Sequence, residues 1–361
     1  MKILHISPFD GAGAAIQFIR AERKLGIASR LITLQKAFPD YEGDVCLNLP
    51  LLNERTSKYL SKRYMMRNRQ HDFARARKVE EIPPKWQPHN FLEKIFFNLR
   101  DKIWENIIKR AELEFDIFDF DIYQLDNGLG FLRNGKILQQ LKDMGKKITA
   151  VYQGRDLRTR GVIPVIDRLS DINFTVEFDH LNLHPSINYI FLPFDLSGYN
   201  IVQNNNKRLR ICHSPTNRSF KGSAKIISII RELEKECPVE LVLIENMKHR
   251  DVIEIKATCD VLIDTLGDLG YGFNALETMA MGIATCTEII PEYEDFIPDH
   301  PFINVNEHNL KDKIIQLMND RDYRMQKGIE GRKWIEKYHN GVRVVESMHD
   351  KYRELGWKID L

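Results

Sequence analysis

Two stretches in the second half of the chain combine glycines, cations and helix starts in a way that suits a polyphosphate. The first is His213-Ser214-Pro215-Thr216-Asn217-Arg218-Ser219-Phe220-Lys221-Gly222-Ser223, which follows an apolar strand-like run and opens a helix. Arg218 and Lys221 stand near the start of that helix, where cations oppose the dipole, so helix stability does not explain them. A diphosphate does: it offsets both charges and accepts hydrogen bonds from the first helical N–H groups, with Ser214 and Asn217 alongside. A solvated loop also fits these residues. The second stretch runs from Gly270-Tyr271-Gly272-Phe273-Asn274 through Leu276-Glu277 to Gly282. Gly272 lets backbone come close to a ligand, and Gly272, Phe273 and Asn274 bring helix-start N–H groups to it. Glu277, about one turn inside the helix, can accept two hydrogen bonds from a ribose diol. A tight turn before a core helix, with Glu277 on the surface, is the structural alternative.

The first half offers weaker sites. Asp10-Gly11-Ala12-Gly13 follows the first strand and lets a ligand approach the next helix, but it lacks the third glycine of a dinucleotide fingerprint. Gln153, Arg155 and Asp156 sit in a loop after a strand, and Asp126-Asn127-Gly128 in another. Asp156 paired with Arg158 or Arg155 would also serve as a structural ion pair. Asp119-Phe120-Asp121 has the spacing of a divalent-cation site, yet it enters a strand, the wrong end of a sheet for one. No catalytic metal and no cofactor are expected; Arg218, Lys221 and helix N–H groups would supply the electrostatic work.

These loops need a scaffold that puts strand ends together. In the second half, strands are expected at Leu209–His213, Val239–Ile244, Cys259–Leu266 and Ile283–Glu288. They alternate with helices at 224–236, about 252–257 and 274–281, closed by Gly282. The first half repeats the theme, with strands at 2–7, 29–34, 121–125 and 147–152 and helices at 14–25 and 136–144. Such alternation indicates parallel α/β sheets, whose ligands bind beyond the carboxyl ends of the strands. The expected fold class is α/β, two Rossmann-like domains facing a cleft, with C-terminal helices crossing back toward the N-terminal domain. The first domain spans 1–195, carries a basic helical insertion at about 54–113 and takes back a C-terminal helix, 341–361. The second spans 196–340. Asn306 is the expected N-cap of a helical tail.

Bulk properties agree with this scheme. The chain has 361 residues and a net charge of only +2, so whole-protein attraction to nucleic acid is not indicated. The short apolar start reads as a strand and turn, and no signal peptide is expected there. Five scattered cysteines without a CxxC pair read as buried thiols of a reducing compartment, fitting neither a disulfide framework nor a zinc site.

Both phosphate-type stretches resemble the C-terminal domain of retaining GT-B glycosyltransferases of the large family 4, over about Arg208 to Gly282. The strand is followed by a loop ending in Lys221-Gly222. A Gly-Tyr-Gly turn then leads into Leu276-Glu277-Thr278-Met279-Ala280-Met281-Gly282. The resemblance implies that Lys221 and Arg218 neutralise the donor diphosphate and that Glu277 holds the nucleotide ribose. It also implies transfer with retention to a saccharide or lipid-linked hydroxyl acceptor, in surface polysaccharide or glycoconjugate synthesis. The family's second glutamate, eight positions earlier, is Leu269 here, with Asp268 just before it as a substitute contact to the donor sugar. Gly11 and Gly13 match the family's N-terminal glycine loop, and Gln153 stands where its His-Gly-Ser-Asp segment has histidine.

The segment Arg55 to Lys78 carries nine cations against one Asp72, with Tyr59, Leu60, Tyr64, Met65, Met66 and Phe73 interleaved. That composition suits the anionic surface of a membrane, so the protein is expected in the cytoplasm and peripheral on the membrane's inner face. A solvated helix packed on the domain fits as well. Three other readings use the same scaffold: a nucleotide-sugar epimerase, a non-catalytic protein binding sugar nucleotide or glycan, and an NAD-dependent dehydrogenase. Leu269 keeps the second open, and the incomplete glycine loop argues against the third.

Overall fold

A computed structural model describes residues 1–8, 13–36, 44–51, 82–88, 90–154, 156–267 and 270–359. Asp10, Gly11, Arg155, Asp268, Leu269 and the basic segment 55–78 lie outside the described residues. The chain forms two compact units. Unit 1 comprises Met1–Pro193 and Gly341–Leu361, and unit 2 comprises Phe194–Asn340.

Unit 1 is built on β1 (Lys2–Ser7), α1 (Ala14–Lys24), β2 (Ala28–Thr33), β3 (Val45–Cys46), α2 (Phe91–Phe115), β4 (Ile122–Asp126), α3 (Lys136–Asp143), β5 (Lys147–Tyr152), α4 (Pro164–Leu169), β6 (Ile172–Thr175) and β7 (Ile187–Tyr189). Its seven strands are all parallel, in the order β3-β2-β1-β4-β5-β6-β7. Parallel strands are covered on both faces, which is why their sequences are nearly continuous apolar runs. One face packs Leu4, Ile6, Tyr123, Leu125, Ile148 and Ala150 against Trp104 and Ile108 of α2 and Leu138 of α3. The other packs Ile3, Ile122, Val151 and Phe174 against Phe18 and Ala21 of α1 and against Val344, Val345, Met348 and Tyr352. Those last four residues belong to the helix Gly341–Glu354, so the chain's closing helix is part of the first unit's core. The long helix α2 starts at Asn90, whose side chain accepts from the Glu93 N–H at 2.9 Å.

Unit 2 contains β8 (Leu209–His213), α5 (Ser223–Glu236), β9 (Val239–Leu243), α6 (His249–Lys256), β10 (Val261–Ile263), α7 (Phe273–Ala280), β11 (Ala284–Thr287), α8 (Pro291–Phe296), β12 (Ile303–Asn304), α9 (Leu310–Asn319) and α10 (Arg321–Tyr338); α11 is the Gly341–Glu354 helix of unit 1. The five strands are parallel, in the order β12-β11-β10-β8-β9. Ile211, Val261 and Ala284 pack against Ile226, Ile230 and Leu233 of α5 and Leu310, Ile314 and Leu317 of α9.

Two expectations need correction. The tail helix is capped by Asn309, not Asn306. Asn306 Oδ1 instead accepts from the His308 and Asn309 N–H groups, making a turn before the helix, and the tail breaks again at Asp320 and His339. Nor are all five thiols buried: Cys212, Cys259 and Cys286 are, Cys237 is half-buried, and Cys46 is exposed.

Sheet order fixes where ligands can be taken. In sheet 1 the chain steps from β1 to one side and returns to the other side at β4. In sheet 2 the corresponding divergence lies between β8 and β10. A crevice opens where neighbouring strands send their connections in opposite directions, so the loops after β8 and β10 face a natural ligand site.

Candidate functional site

The loops after β8 and β10 carry the residues singled out for phosphate binding. His213 ends β8 and joins both loops. Its Nδ1 lies 2.8 Å from the Ile263 carbonyl oxygen and its Nε2 2.8 Å from Ser223 Oγ. A carbonyl can only accept, so Nδ1 carries the proton and Nε2 accepts from the serine. Burial pushes the His213 pKa down, keeping the ring neutral. One imidazole thus fastens the start of α5 to β10.

The loop between them is a compact turn. Asn217 Oδ1 accepts from the Ser219 and Phe220 N–H groups at 3.0 and 3.3 Å. Gly222 follows with φ +63°, and a Cβ there would sit 2.2 Å from the Leu266 carbonyl oxygen. The Leu266 N–H in turn donates to the Lys221 carbonyl at 3.2 Å. The two loops therefore touch backbone to backbone, a contact that only glycine allows.

Lys221 and Arg218 are held differently. Lys221 Nζ donates to Asp264 Oδ1 at 3.0 Å, and Asn274 Nδ2 donates to the same oxygen at 2.9 Å. Asp264 is fully buried, directly after β10, and its Oδ2 has no hydrogen-bond partner among the described residues. Asp264 therefore ties the cation of one loop to the helix start of the other. Arg218 is more than half exposed and grips Glu245 through two bonds of 2.7 and 2.6 Å. Ser214 is half-buried beside them.

Gly272 caps α7 in an extended conformation, and a Cβ there would meet no atom within 4 Å. Tyr271 beside it is anchored, its ring parallel to that of Tyr293 and its hydroxyl 3.1 Å from His339 Nε2. Phe273 puts its ring 6.2 Å from that of Phe194. The helix start is thus open at Gly272 and fixed on both sides.

Glu277 is not on the surface. It is buried, with Oε2 accepting from Lys256 Nζ at 2.5 Å and Oε1 2.7 Å from His249 Nε2. Burial works to raise its pKa, but the charge of Lys256 and the bonds from His249 and Lys256 outweigh burial and hold it below the usual range. The hydrogen bond to Glu277 raises the pKa of exposed His249 in return. Lys256, a fully buried ammonium, is neutralised inside the domain. Sequence reasoning missed Lys256, His249, Asp264 and Glu245. Only Asp264 had a signal, its position at the carboxyl end of a strand.

In unit 1, Gly13 opens α1 with φ +73°. Asp126 is buried at the end of β4, and its Oδ1 accepts from Gln124 Nε2 at 3.0 Å. Its Oδ2 lies 3.9 Å from Nδ1 of His5, whose Nε2 is 2.8 Å from Glu22. Burial pushes the Asp126 pKa up to about 6, with His5 opposing. The Gln153 N–H donates to Asp156 Oδ2 at 3.2 Å, and burial raises the Asp156 pKa. Among the described residues the ion partner of Asp156 is Arg160, at 3.7 Å, and not Arg158, which binds Asp179 and Glu177. The aspartates of the Asp119-Phe120-Asp121 stretch hold the ammonium and N–H of Lys2, at the amino ends of β1 and β4.

No protein-family model and no curated protein matches this sequence. Solved structures are similar to it. Sucrose-phosphate synthase from Thermosynechococcus elongatus superposes with a TM-score of 0.63 at 13% identity, over 98% of this chain and 99% of that one. Anabaena HepE in complex with UDP-glucose gives 0.58 at 10% identity, over 98% and 100%. S. aureus TarM, in complex with Fondaparinux, alpha-GlcNAc-glycerol and UDP, gives 0.58 at 11% identity, over 97% and 99%. What is shared at these identities is the fold, the two Rossmann-like α/β units of the GT-B class.

Proposed function

We propose that this chain is a glycosyltransferase that moves a sugar from a nucleoside diphosphate sugar to a hydroxyl acceptor. The observation that carries the reading is the pairing of the Arg218–Lys221 loop with the open start of α7 at the switch point between β8 and β10. A pyrophosphate set there meets two cations and the unbonded N–H groups of a helix start. The neighbouring structures that contain UDP, UDP-glucose or a saccharide support the same ligand class.

The chemistry sets what these groups do. Breaking the anomeric C–O bond leaves positive charge on the sugar ring and negative charge on the departing diphosphate. The bond pair goes to phosphate oxygen, the acceptor oxygen bonds to the anomeric carbon, and the acceptor proton leaves with the nucleotide or to solvent. Stabilising the diphosphate is the main electrostatic task. Lys221, oriented by Asp264, and Arg218, exchanging Glu245 for phosphate, perform it without a metal. Glu277, kept ionised by Lys256 and His249, receives the ribose hydroxyls on its remaining lone pairs. Gly272, Phe273 and Asn274 line the phosphate and sugar, with Ser214 and Asn217 across from them. Asp126, Gln153 and Asp156 are the acceptor-side candidates of unit 1. Transfer with retention, a cytoplasmic setting and a saccharide or lipid-linked acceptor in surface polysaccharide or glycoconjugate synthesis complete the reading. Among the described residues no helix is long and apolar enough to cross a membrane.

The test is nucleotide release from a panel of UDP-, GDP-, ADP- and CMP-sugars by the wild type beside Lys221→Ala. Slow hydrolysis of one diphosphate donor, lost in the variant, is expected. Absence of binding by every donor would remove the reading.

A further inference from the structure

Two arginines of unit 1 are stacked on aromatic rings with too little negative charge beside them. Arg100 lies on α2, its guanidinium carbon 4.6 Å from the centroid of the Phe97 ring and 4.0 Å from that of Trp104. Arg133 comes from the loop between β4 and α3, its guanidinium carbon 4.6 Å from the same Phe97 ring and 4.3 Å from that of Trp86. The nearby acid, Asp101, is engaged on both oxygens. Oδ1 accepts from Arg100 Nη2 at 3.0 Å and Oδ2 from the Asn134 N–H at 3.1 Å. Arg133 has no ion pair among the described residues, and its Nη1 is buried without a hydrogen-bond partner, as is Arg100 Nε.

Burial lowers the pKa of both groups. For Arg133 the fall is large, and the charges of Arg100 and Arg160 deepen it against those of Asp101 and Glu93. Stacking on ring faces offsets only part of the cost of taking a guanidinium out of water. What the cluster lacks is an anion that also accepts hydrogen bonds. Its third cation is already occupied: Arg160 Nε and Nη2 donate to the Gly161 and Asn127 carbonyl oxygens, and Nη1 is 3.7 Å from Asp156.

The place suits a ligand. The loop bearing Arg133 leaves the carboxyl end of β4 directly after Asp126. The Trp86 N–H donates to the Val162 carbonyl at 2.7 Å, beside the turn that follows β5. Parallel sheets take their ligands at this end. Arg100 is buried, whereas Trp86, Phe97 and Arg133 are half-buried, so the cluster is not sealed from solvent.

We propose that Arg133 and Arg100 bind an oxyanion, a phosphate or carboxylate group carried by the acceptor, so that the sugar goes to an acidic molecule. The anion site stands by itself, and its link to an acceptor rests on the glycosyltransferase reading. The planar fork of Arg133 meets such a group with two parallel bonds, and Arg100 adds the second charge.

Thermal melts of the full chain in inorganic phosphate, against chloride at equal ionic strength, test the site. Phosphate raises the Tm of the wild type by binding the folded state. Arg133→Met loses most of that rise, the donor loops accounting for the remainder, and Arg133→Lys recovers part of it. In phosphate-free buffer Arg133→Met melts no lower than the wild type, because it removes an uncompensated cation and lays an apolar chain on the same rings. A lower Tm there marks a structural arginine and overturns the proposal, as does a phosphate rise that Arg133→Met leaves whole.

Transfer assays identify the group. Hexoses, hexose phosphates and hexuronates are offered with the donor that the nucleotide panel selects. One acidic class is expected to take the sugar, and Arg133→Met raises its KM about tenfold or more with a smaller change in kcat. Transfer to neither acidic class, or equal transfer to a neutral hexose, overturns the acidic acceptor. If no donor binds, the transferase reading fails, while the phosphate melts still decide the anion site.

Discussion

Lys221 and Asp264 are joined by a 3.0 Å bond across two loops, and the same carboxylate oxygen holds Asn274 at the start of α7. The cation is therefore oriented before any ligand arrives. A charge-assisted bond to phosphate contributes about 1.5–3 kcal/mol, so Lys221→Ala should weaken binding of the cognate nucleoside diphosphate roughly 10- to 100-fold by calorimetry. Asp264→Asn keeps the shape of the side chain and removes its charge. It should weaken the same binding by a smaller factor while leaving Lys221 in place.

Glu277 and Lys256 form a buried pair, and removing one partner leaves the other charge uncompensated. Glu277→Gln should cost about 3–5 kcal/mol of stability, seen as a lower Tm, and Glu277→Gln with Lys256→Met should recover most of it. The pair also sets an acid limit. Its carboxyl titrates lower in the fold than in the unfolded chain, whose ordinary value is 4.5. Its contribution is thus full above that value and is lost as pH falls through the folded pKa. The double variant should show a flatter stability profile in that range. Nucleotide binding by the double variant then separates a ribose role for Glu277 from a purely structural one.

Asp126 behaves in the opposite sense. Its pKa rises from 3.8 to about 6 in the fold, so the folded chain binds more protons than the unfolded one between those values. Stability therefore falls as pH rises through that window. Asp126→Asn keeps an acceptor for Gln124 and removes the buried charge beside Glu22 and His5. It should raise stability above pH 6, by about 3 kcal/mol at most for two pKa units, with little effect at pH 4. Denaturant titrations at the two pH values measure the difference.

Gly222 and Gly267 both have positive φ, but only Gly222 faces backbone. A Cβ at Gly222 meets the Leu266 oxygen at 2.2 Å, whereas one at Gly267 meets nothing within 4 Å. Gly222→Ala should destabilise by about 1–3 kcal/mol and also weaken nucleotide binding, by parting the two loops. Gly267→Ala should cost about 1 kcal/mol. Thermal melts of the two variants, read with their nucleotide affinities, compare the effects.

Where burial alone decides a residue's place, sequence periodicity already shows it. The spans expected at Lys2–Ser7, Leu209–His213 and Lys147–Tyr152 coincide with β1, β8 and β5. Strand β10 is shorter at both ends than the expected Cys259–Leu266, although Asp264 and Thr265 still exchange backbone bonds with Cys286 and Glu288 beside it. Strands β6 and β7 escaped notice since Asn173, Asn188 and Tyr189 interrupt their short apolar runs. The loops after β8 and β10 were legible from glycine and cation spacing. Their partners were not. Lys256 reads as a surface lysine in any local window, and only tertiary contact with Glu277 buries it. Arg160 replaces Arg158 beside Asp156 for a similar reason: the π-helical turn Asp156–Arg160 brings residues four apart together, and Arg158 turns to Asp179.

The closing helix α11 carries a consequence for biosynthesis. Residues 194–340 complete a unit of their own before Gly341–Glu354 leaves the ribosome, yet that helix covers Ile3, Ile122, Val151 and Phe174 of the first sheet. The order of manufacture is thus not the order of assembly. The second unit can finish while the first, begun earlier, still shows one apolar face to solvent and to chaperones. A chain lacking residues 341–361 would carry a finished second unit tethered to a first unit with one apolar face uncovered.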